Sequence, residues 1–207
     1  MAHDSLPAQF GSIDIYVFDQ LLKERISARD RVLDAGCGTG RNIHYLLRQG
    51  FDVTVTDVEP RAVAACVALA EELGQPIPAS QALVAGLDAL PFDREAFDVV
   101  LCNTVLHFAR DDAQFEHWVH ELFRVLRPGG LFFARLAGAD GIADQVRWLD
   151  GRRAVLPDGS ERYLIDHAQL QRVTEQYGDL LDPLKTTIVH GQRAMTTWVV
   201  RKRTATG

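Results

Sequence analysis

Residues 32–42 read VLDAGCGTGRN, and the rest of the chain is arranged around them. Val32 and Leu33 form a short apolar strand that Asp34 ends. Gly36, Gly38 and Gly40, with Cys37 and Thr39 between them, are too glycine-rich for a strand or helix interior. Residues 41–49 then carry Ile43, Leu46 and Leu47 at helical spacing, and Gly50 stops that helix. The order strand, glycine turn, helix opens a βαβ unit. Glycine at the turn permits positive φ and lets a ligand approach bare backbone. The helix N-terminus would point free N–H groups at that ligand. A dinucleotide fingerprint, G-x-G-x-x-G, would need glycine where Arg41 stands; here the third glycine comes one residue early. Asp34, an acid just before the loop, would repel a pyrophosphate and attract an ammonium or sulfonium. Spacing and charge together favour a cationic ligand.

Two further strand ends point to the same crevice. Residues 52–57, DVTVTD, alternate and are β-branched, and they end in Asp57, 21 positions after Gly36. A carboxylate about 20 residues beyond the loop can accept from two ribose hydroxyls; Glu59 is a weaker candidate. A helix follows over 60–73, with proline in its first turn and Gly74 closing it, then a loop over 75–81 and a third strand over 81–86. Residues 97–103, FDVVLCN, are a continuous apolar run, as a parallel strand buried on both faces should be. Its end, Asn103, falls where α/β folds bind ligands. His107, four residues on, is either a general base, with a reference pKa near 6.5, or a wall of the pocket.

The stretch DAGCGTG, an acid followed by G-x-G-x-G, resembles motif I of the class I S-adenosylmethionine-dependent methyltransferases. The resemblance runs closely over residues 32–136 and includes LFRVLRPGGLFFA, a helix, a Pro-Gly-Gly turn and the fifth strand. It implies a three-layer, Rossmann-like α/β sandwich. The seven-stranded, mostly parallel sheet would have order 3-2-1-4-5-7-6, with strand 7 antiparallel. The implied reaction is direct displacement, moving a methyl group from S-adenosyl-L-methionine to a small-molecule acceptor and leaving S-adenosyl-L-homocysteine. Asp34, Gly36, Cys37, Gly38, Gly40 and Asn42 would surround the methionine end of the cofactor, and Asp57 and Val58 the ribose. Leu87 and Ala89 would offer apolar contact to adenine, and Asp88 would accept from its exocyclic amine. Asn103 would lie near the sulfonium. The chain lacks the N/D-P-P-Y/F signature of amino-group methyltransferases, which argues against nucleobase or protein-glutamine substrates. Within the family the chain looks closest to the small-molecule, tellurite-resistance-like enzymes. In those a histidine and an arginine near the chain end are linked to the acceptor, and His190 and Arg193 stand in that stretch. An alternative is a non-catalytic module that binds the same cofactor; an NAD(P)-dependent oxidoreductase fits less well, given Arg41 and Asp34.

Outside this frame, a helix over 12–27 would either cap the cofactor pocket or cover a sheet edge, after a surface segment over 1–11. Asp111 caps a helix whose Phe115, Trp118, Val119, Leu122, Phe123 and Leu126 read as core. Residues 137–165 are the least regular part. Asp158-Gly159 predicts a small hairpin there. Arg147, Trp148, Arg152, Arg153 and Tyr163 would make a basic, aromatic lid suited to an anionic or flat acceptor. Asp166 and Gln169 form a capping box for a helix to Tyr177, and strands over 184–189 and 194–201 close the chain as a hairpin. The 207 residues suit a single domain, with 1–30 as an N-terminal cap and 137–165 as the lid. The net charge of −6 weighs against nucleic acid. Cys37, Cys66 and Cys102 lack disulfide or metal spacing, so reduced thiols in a cytoplasmic protein, without metal, are expected. No signal or membrane span is visible. The expected state is monomer or homodimer.

Overall fold

The computed structural model describes residues 5–204. The expected surface segment is partly helix: Leu6–Phe10 (α1) is capped by Ser5, and Phe10 stacks on Tyr45 with ring centroids 5.2 Å apart. Residues 1–4 of that segment lie outside the described part. The next helix, Ile15–Leu22 (α2), is shorter than the reading of 12–27. It starts where the Asp14 side chain accepts from the Tyr16 N–H.

Arg31–Ala35 (β1), Asp52–Asp57 (β2), Ala82–Val84 (β3) and Phe97–Asn103 (β4) are parallel neighbours. Leu126–Ala137 (β5) adds to β4 in parallel, and Arg193–Lys202 (β11) runs antiparallel to β5. Lys185–Val189 (β10) forms the far edge. The path β10-β11-β5-β4-β1-β2-β3 is the expected order with its antiparallel penultimate strand. Among the described residues the sheet has eight strands, because Gly178–Leu180 (β9) pairs with the end of β11 beside β10. Gly178 does more than stop a helix there: a Cβ on it would collide with the Arg201 carbonyl.

The sheet is covered on both faces, and the alternation of its strands decides which residue goes where. Val100 and Cys102 of β4 and Phe132, Ala134 and Leu136 of β5 face Asp112–Val125 (α5) and His167–Tyr177 (α6). Val99, Leu101, Leu131 and Phe133 face α2, Ile43–Arg48 (α3) and Pro60–Glu72 (α4). Burying these Phe, Leu and Val side chains contributes about 1.5–3 kcal/mol each. No described helix is long and apolar enough to cross a membrane.

Two local readings need correction. The Arg127-Pro128-Gly129-Gly130 segment is not a turn before β5 but an irregularity within it. Phe97 pairs with Leu126 and Val99 with Leu131, so the extra residues bulge out of the ladder. The bulge closes tightly, since a Cβ on Gly130 would approach the Asp98 carbonyl to 2.8 Å. The capping box of α6 is half formed. Asp166 accepts from the Gln169 N–H at 2.7 Å, but the Gln169 amide donates to the Tyr163 hydroxyl at 2.6 Å instead of reaching back. The Asp158-Gly159 turn does join antiparallel strands, Arg153–Val155 (β7) and Glu161–Tyr163 (β8), and Arg147–Asp150 (β6) adds a third.

Candidate active site

The carboxyl ends of β1, β2 and β4 open into a cleft of three connected lobes, and Thr104 borders all three. Thr104 has φ 66, a left-handed conformation that a β-branched residue adopts only under constraint. Its N–H donates to the Arg135 carbonyl at 2.7 Å, so β5 holds it there. Replacing Thr104 by glycine is expected to raise stability by about 1 kcal/mol in urea denaturation; a loss would show that the conformation is unstrained.

The first lobe, about 410 Å³, runs from Gly36 and Gly38 past Asp57 and Val58 to Leu87 and Asp88. Each Asp57 oxygen accepts one backbone hydrogen, from Gly38 at 3.0 Å and from Glu59 at 3.0 Å, and keeps lone pairs for a further donor. The Asp88 carboxylate accepts from the Trp118 indole at 2.9 Å and from Gln114 at 3.3 Å. The Trp118 bond leads the effects that hold this carboxyl below its ordinary range. Trp118, read from the sequence as core, therefore stands on the lobe, as do Val105 and Phe108. Only its place on the helix, with neighbours that pack inward, had been legible. Ala89 is exposed and does not border the lobe, because the chain turns away after Asp88.

The second lobe, about 260 Å³, lies between the glycine loop, Asn42 and Asn103. Here the three glycines separate. A Cβ on Gly36 would overlap Val105, whereas one on Gly38 would meet nothing within 4 Å. Gly40 sits against Leu69, Cys66 and Ile43, so it packs α3 on α4 and does not border the lobe. Part of the loop's amides are spent: Gly36 and Cys37 both donate to the Thr56 carbonyl, at 2.7 and 3.0 Å, Gly38 to Asp57 and Gly40 to the Cys37 carbonyl. The N–H groups of Thr39, Arg41 and Asn42, which border the second lobe, carry no hydrogen bond among the described residues, while α3 has only 6 residues.

The second lobe also has buried polarity without partners. Asn103 is 4% exposed, and neither end of its amide is hydrogen-bonded. Asp34, under the loop, is 0% exposed, and both its oxygens lack partners. Burial pushes its pKa up to about 7, with Arg41 opposing and Asp57 adding to the rise. The Asn42 side chain accepts from the Asp14 N–H at 3.1 Å. The Cys37 thiol is held protonated, first by its hydrogen bond with Cys66 and then by burial. All three cysteines are free.

The third lobe, about 380 Å³, lies beyond Thr104 and includes His107, Arg135, Arg162 and Arg193. His107 Nδ1 accepts from the Ala137 N–H at 3.1 Å, so the proton of the neutral ring is on Nε2. Burial, then Arg162 and Arg193, lower its pKa to about 3. With Nδ1 engaged, the ring presents a donor to the lobe, which favours the pocket-wall reading of His107 over the general base. His190 is exposed in the turn after β10 and does not border the lobe; the hairpin that brings Arg193 in carries His190 out. The expected lid residues are likewise not the ones at the site. Arg152 pairs with Asp166 at 2.8 Å, Arg153 with Glu161, and the Trp148 indole donates to the Ala143 carbonyl at 3.3 Å. Tyr163 is buried against Phe115. The 156–162 segment supplies Leu156, Asp158, Ser160 and Arg162 instead. The α2 helix packs on a sheet face and reaches the edge strand β10, where the Tyr16 and Thr187 hydroxyls bond at 2.6 Å, and Asp14 at its start ties Arg41 at 2.9 Å and Arg135 at 3.3 Å.

Comparison with known proteins bears on this cleft. A family profile described as "Methyltransferase domain" matches residues 32–130, from β1 into β5. The chain belongs to the class I S-adenosylmethionine-dependent methyltransferase family. It is 38% identical over 111 residues to the uncharacterized methyltransferase YodH of Bacillus subtilis, covering 54% of this chain and 45% of that protein. It is 31% identical over 186 residues to the malonyl-[acyl-carrier protein] O-methyltransferase of Herminiimonas arsenicoxydans, covering 83% of this chain and 66% of the relative. The chain spans about half the length of the curated relatives it matches. In structure it superposes on the Burkholderia thailandensis 1,6-didemethyltoxoflavin-N1-methyltransferase with a TM-score of 0.70 and 22% identity, covering 94% of this chain and 80% of that one. That enzyme was solved with 1,6-didemethyltoxoflavin and S-adenosylhomocysteine bound.

Proposed function

We propose that this methyltransferase-family chain moves the methyl group of S-adenosylmethionine onto a small-molecule acceptor by direct displacement. One observation carries the cofactor reading: Asp34, beneath the glycine loop, and Asn103, at the end of β4, lie buried with no partners. A buried acid beneath the loop disfavours phosphate, and both polar groups await an amino-acid end. Asp34 and Asn103 would hold the methionine portion, with Gly36, Gly38, Cys37 and Asn42 around it. Because Asp34 is fully buried, it would act through a bridging group. Asp57 would accept from the ribose hydroxyls. Leu87, Val58 and Trp118 would flank adenine, and Asp88 would take its amine. When bound, the cofactor supplies a methyl carbon activated by a sulfonium leaving group. The chain would then serve mainly to align that carbon with the acceptor, an effect of about 7–11 kcal/mol in favourable cases. The third lobe, walled by the 156–162 segment, would hold the acceptor. Residues 1–207 would act as a single domain with that wall as its lid.

S-adenosylhomocysteine should raise the melting temperature and NAD should not; the reverse would favour an oxidoreductase. Asp57→Ala is expected to weaken S-adenosylhomocysteine binding at least tenfold, about 1.4 kcal/mol, by calorimetry. Unchanged affinity would remove Asp57 from the ribose site.

A further inference from the structure

We propose that the acceptor is a small carboxylic acid, bound as its anion among the guanidinium groups of the third lobe and methylated on a carboxylate oxygen. This rests on the methyltransferase reading and adds the substrate class. The first argument is charge. The chain carries a net −6, yet this lobe is bordered by Arg41, Arg135, Arg162 and Arg193 and by one carboxylate, Asp158. Asp14, behind the lobe, compensates one of the pair Arg41 and Arg135. Asp158 stands 3.5 Å from Arg193. Arg162 meets no carboxylate among the described residues: it donates to the Glu161 carbonyl at 2.7 Å and lies over the Phe108 ring at 4.8 Å. Four cations therefore face two anions. Guanidinium groups offer planar pairs of donors and no acceptor, which suits a carboxylate. They are also placed in advance, Arg135 by Asp14 and the Tyr16 ring, Arg162 by Phe108, and Arg193 by Asp158.

The second argument is that the described residues of this lobe offer no strong base. His107 offers Nε2–H, a further donor, since its other nitrogen is committed to Ala137. Asp158 accepts from the Ser160 N–H at 2.9 Å and its hydroxyl at 2.6 Å, besides facing Arg193. These bonds, working against its partial burial, hold it below the usual carboxylate range and make it a weak base. An alcohol or an ammonium would have to lose a proton before attacking, and an ammonium would be repelled by the arginines. A carboxylic acid, with a pKa of about 4, arrives ionised at neutral pH. Its oxygen forms a bond to the methyl carbon as the carbon–sulfur bond breaks. The electron pair goes to sulfur, and no proton moves. The products are a methyl ester and the neutral thioether.

The test uses the full chain, methyl-labelled S-adenosylmethionine and a metabolite extract split by anion exchange into retained and unretained fractions. Label should enter molecules of the retained fraction and be released as volatile methanol by mild alkali. Arg162→Gln should lower the transfer rate at least tenfold, while S-adenosylhomocysteine affinity by calorimetry stays within twofold. Alkali-stable label, label only from the unretained fraction, or an unchanged rate for Arg162→Gln would overturn the proposal and leave the methyltransferase reading standing. Cofactor binding without transfer from any fraction would overturn the proposal and favour the non-catalytic binding module. Failure to bind S-adenosylhomocysteine would instead remove the underlying reading.

Discussion

Asp34→Asn should stabilise the free protein and cripple its cofactor binding at the same time. The Asp34 carboxyl is fully buried and unpartnered, with its pKa raised by burial to about 7. A carboxyl raised on folding contributes stability in full below its unfolded pKa, near 4, and loses it as pH climbs toward 7. At pH 8 the ionised group therefore costs the free protein roughly 2–4 kcal/mol. Removing the charge should recover most of that at pH 8, a rise of about 5–10 °C in melting temperature, and nothing at pH 4. The bound ammonium would lose the counter-charge that reaches it through the bridging group, so affinity for S-adenosylhomocysteine should fall about a hundredfold, about 2.7 kcal/mol. In the unmodified protein that affinity should weaken as pH drops below 7, where Asp34 takes up its proton. Scanning calorimetry and titration calorimetry at pH 5.5 and 8 read both effects. A destabilised Asp34→Asn, or one that binds normally, would show that Asp34 serves the fold and not the cofactor.

Gly36→Ala is the second large effect, and its cause can be divided. At φ 82 an alanine carries left-handed strain of about 1–2 kcal/mol. Its Cβ would also overlap Val105, and such overpacking typically costs about 1–3 kcal/mol. The first two lobes share Gly36, so cofactor affinity should fall with stability. Adding Val105→Ala should return the packing part and leave the strain. In urea denaturation the double variant should therefore be more stable than Gly36→Ala alone. If the second change only adds to the loss, the Gly36–Val105 contact is not what demands a glycine.

Much of the frame was legible because it follows from local rules. The apolar run of β4 and the alternation of β2 matched their strands residue for residue, since buried parallel strands leave little ambiguity about which side chains face the helices. The acid-glycine loop implied the cofactor crevice, and the Asp158-Gly159 turn implied the β7–β8 pair. What failed depended on partners far along the chain. Gly40 looks like Gly36 in sequence, but α4 decides that one packs and the other faces the cleft. Pro128-Gly129-Gly130 reads as a turn until β4 pairs on both sides of it. Arg162 and Arg135 carry no local signal that separates them from Arg152 and Arg153, which spend their charge on Asp166 and Glu161.

By itself, then, the amino-acid order determined the individual strands, the closing hairpin and the acidic turn beneath the cofactor crevice, because periodicity and glycine chemistry act over a few residues; the order of the strands in the sheet was what the family resemblance implied. Only the tertiary structure decided the character of the acceptor lobe. It directed a backbone N–H at His107 and so turned a potential base into a donor. It also set four arginines from distant segments around one small space. Proton sharing and summed charge depend on which groups meet in three dimensions, and spacing along the chain does not encode that.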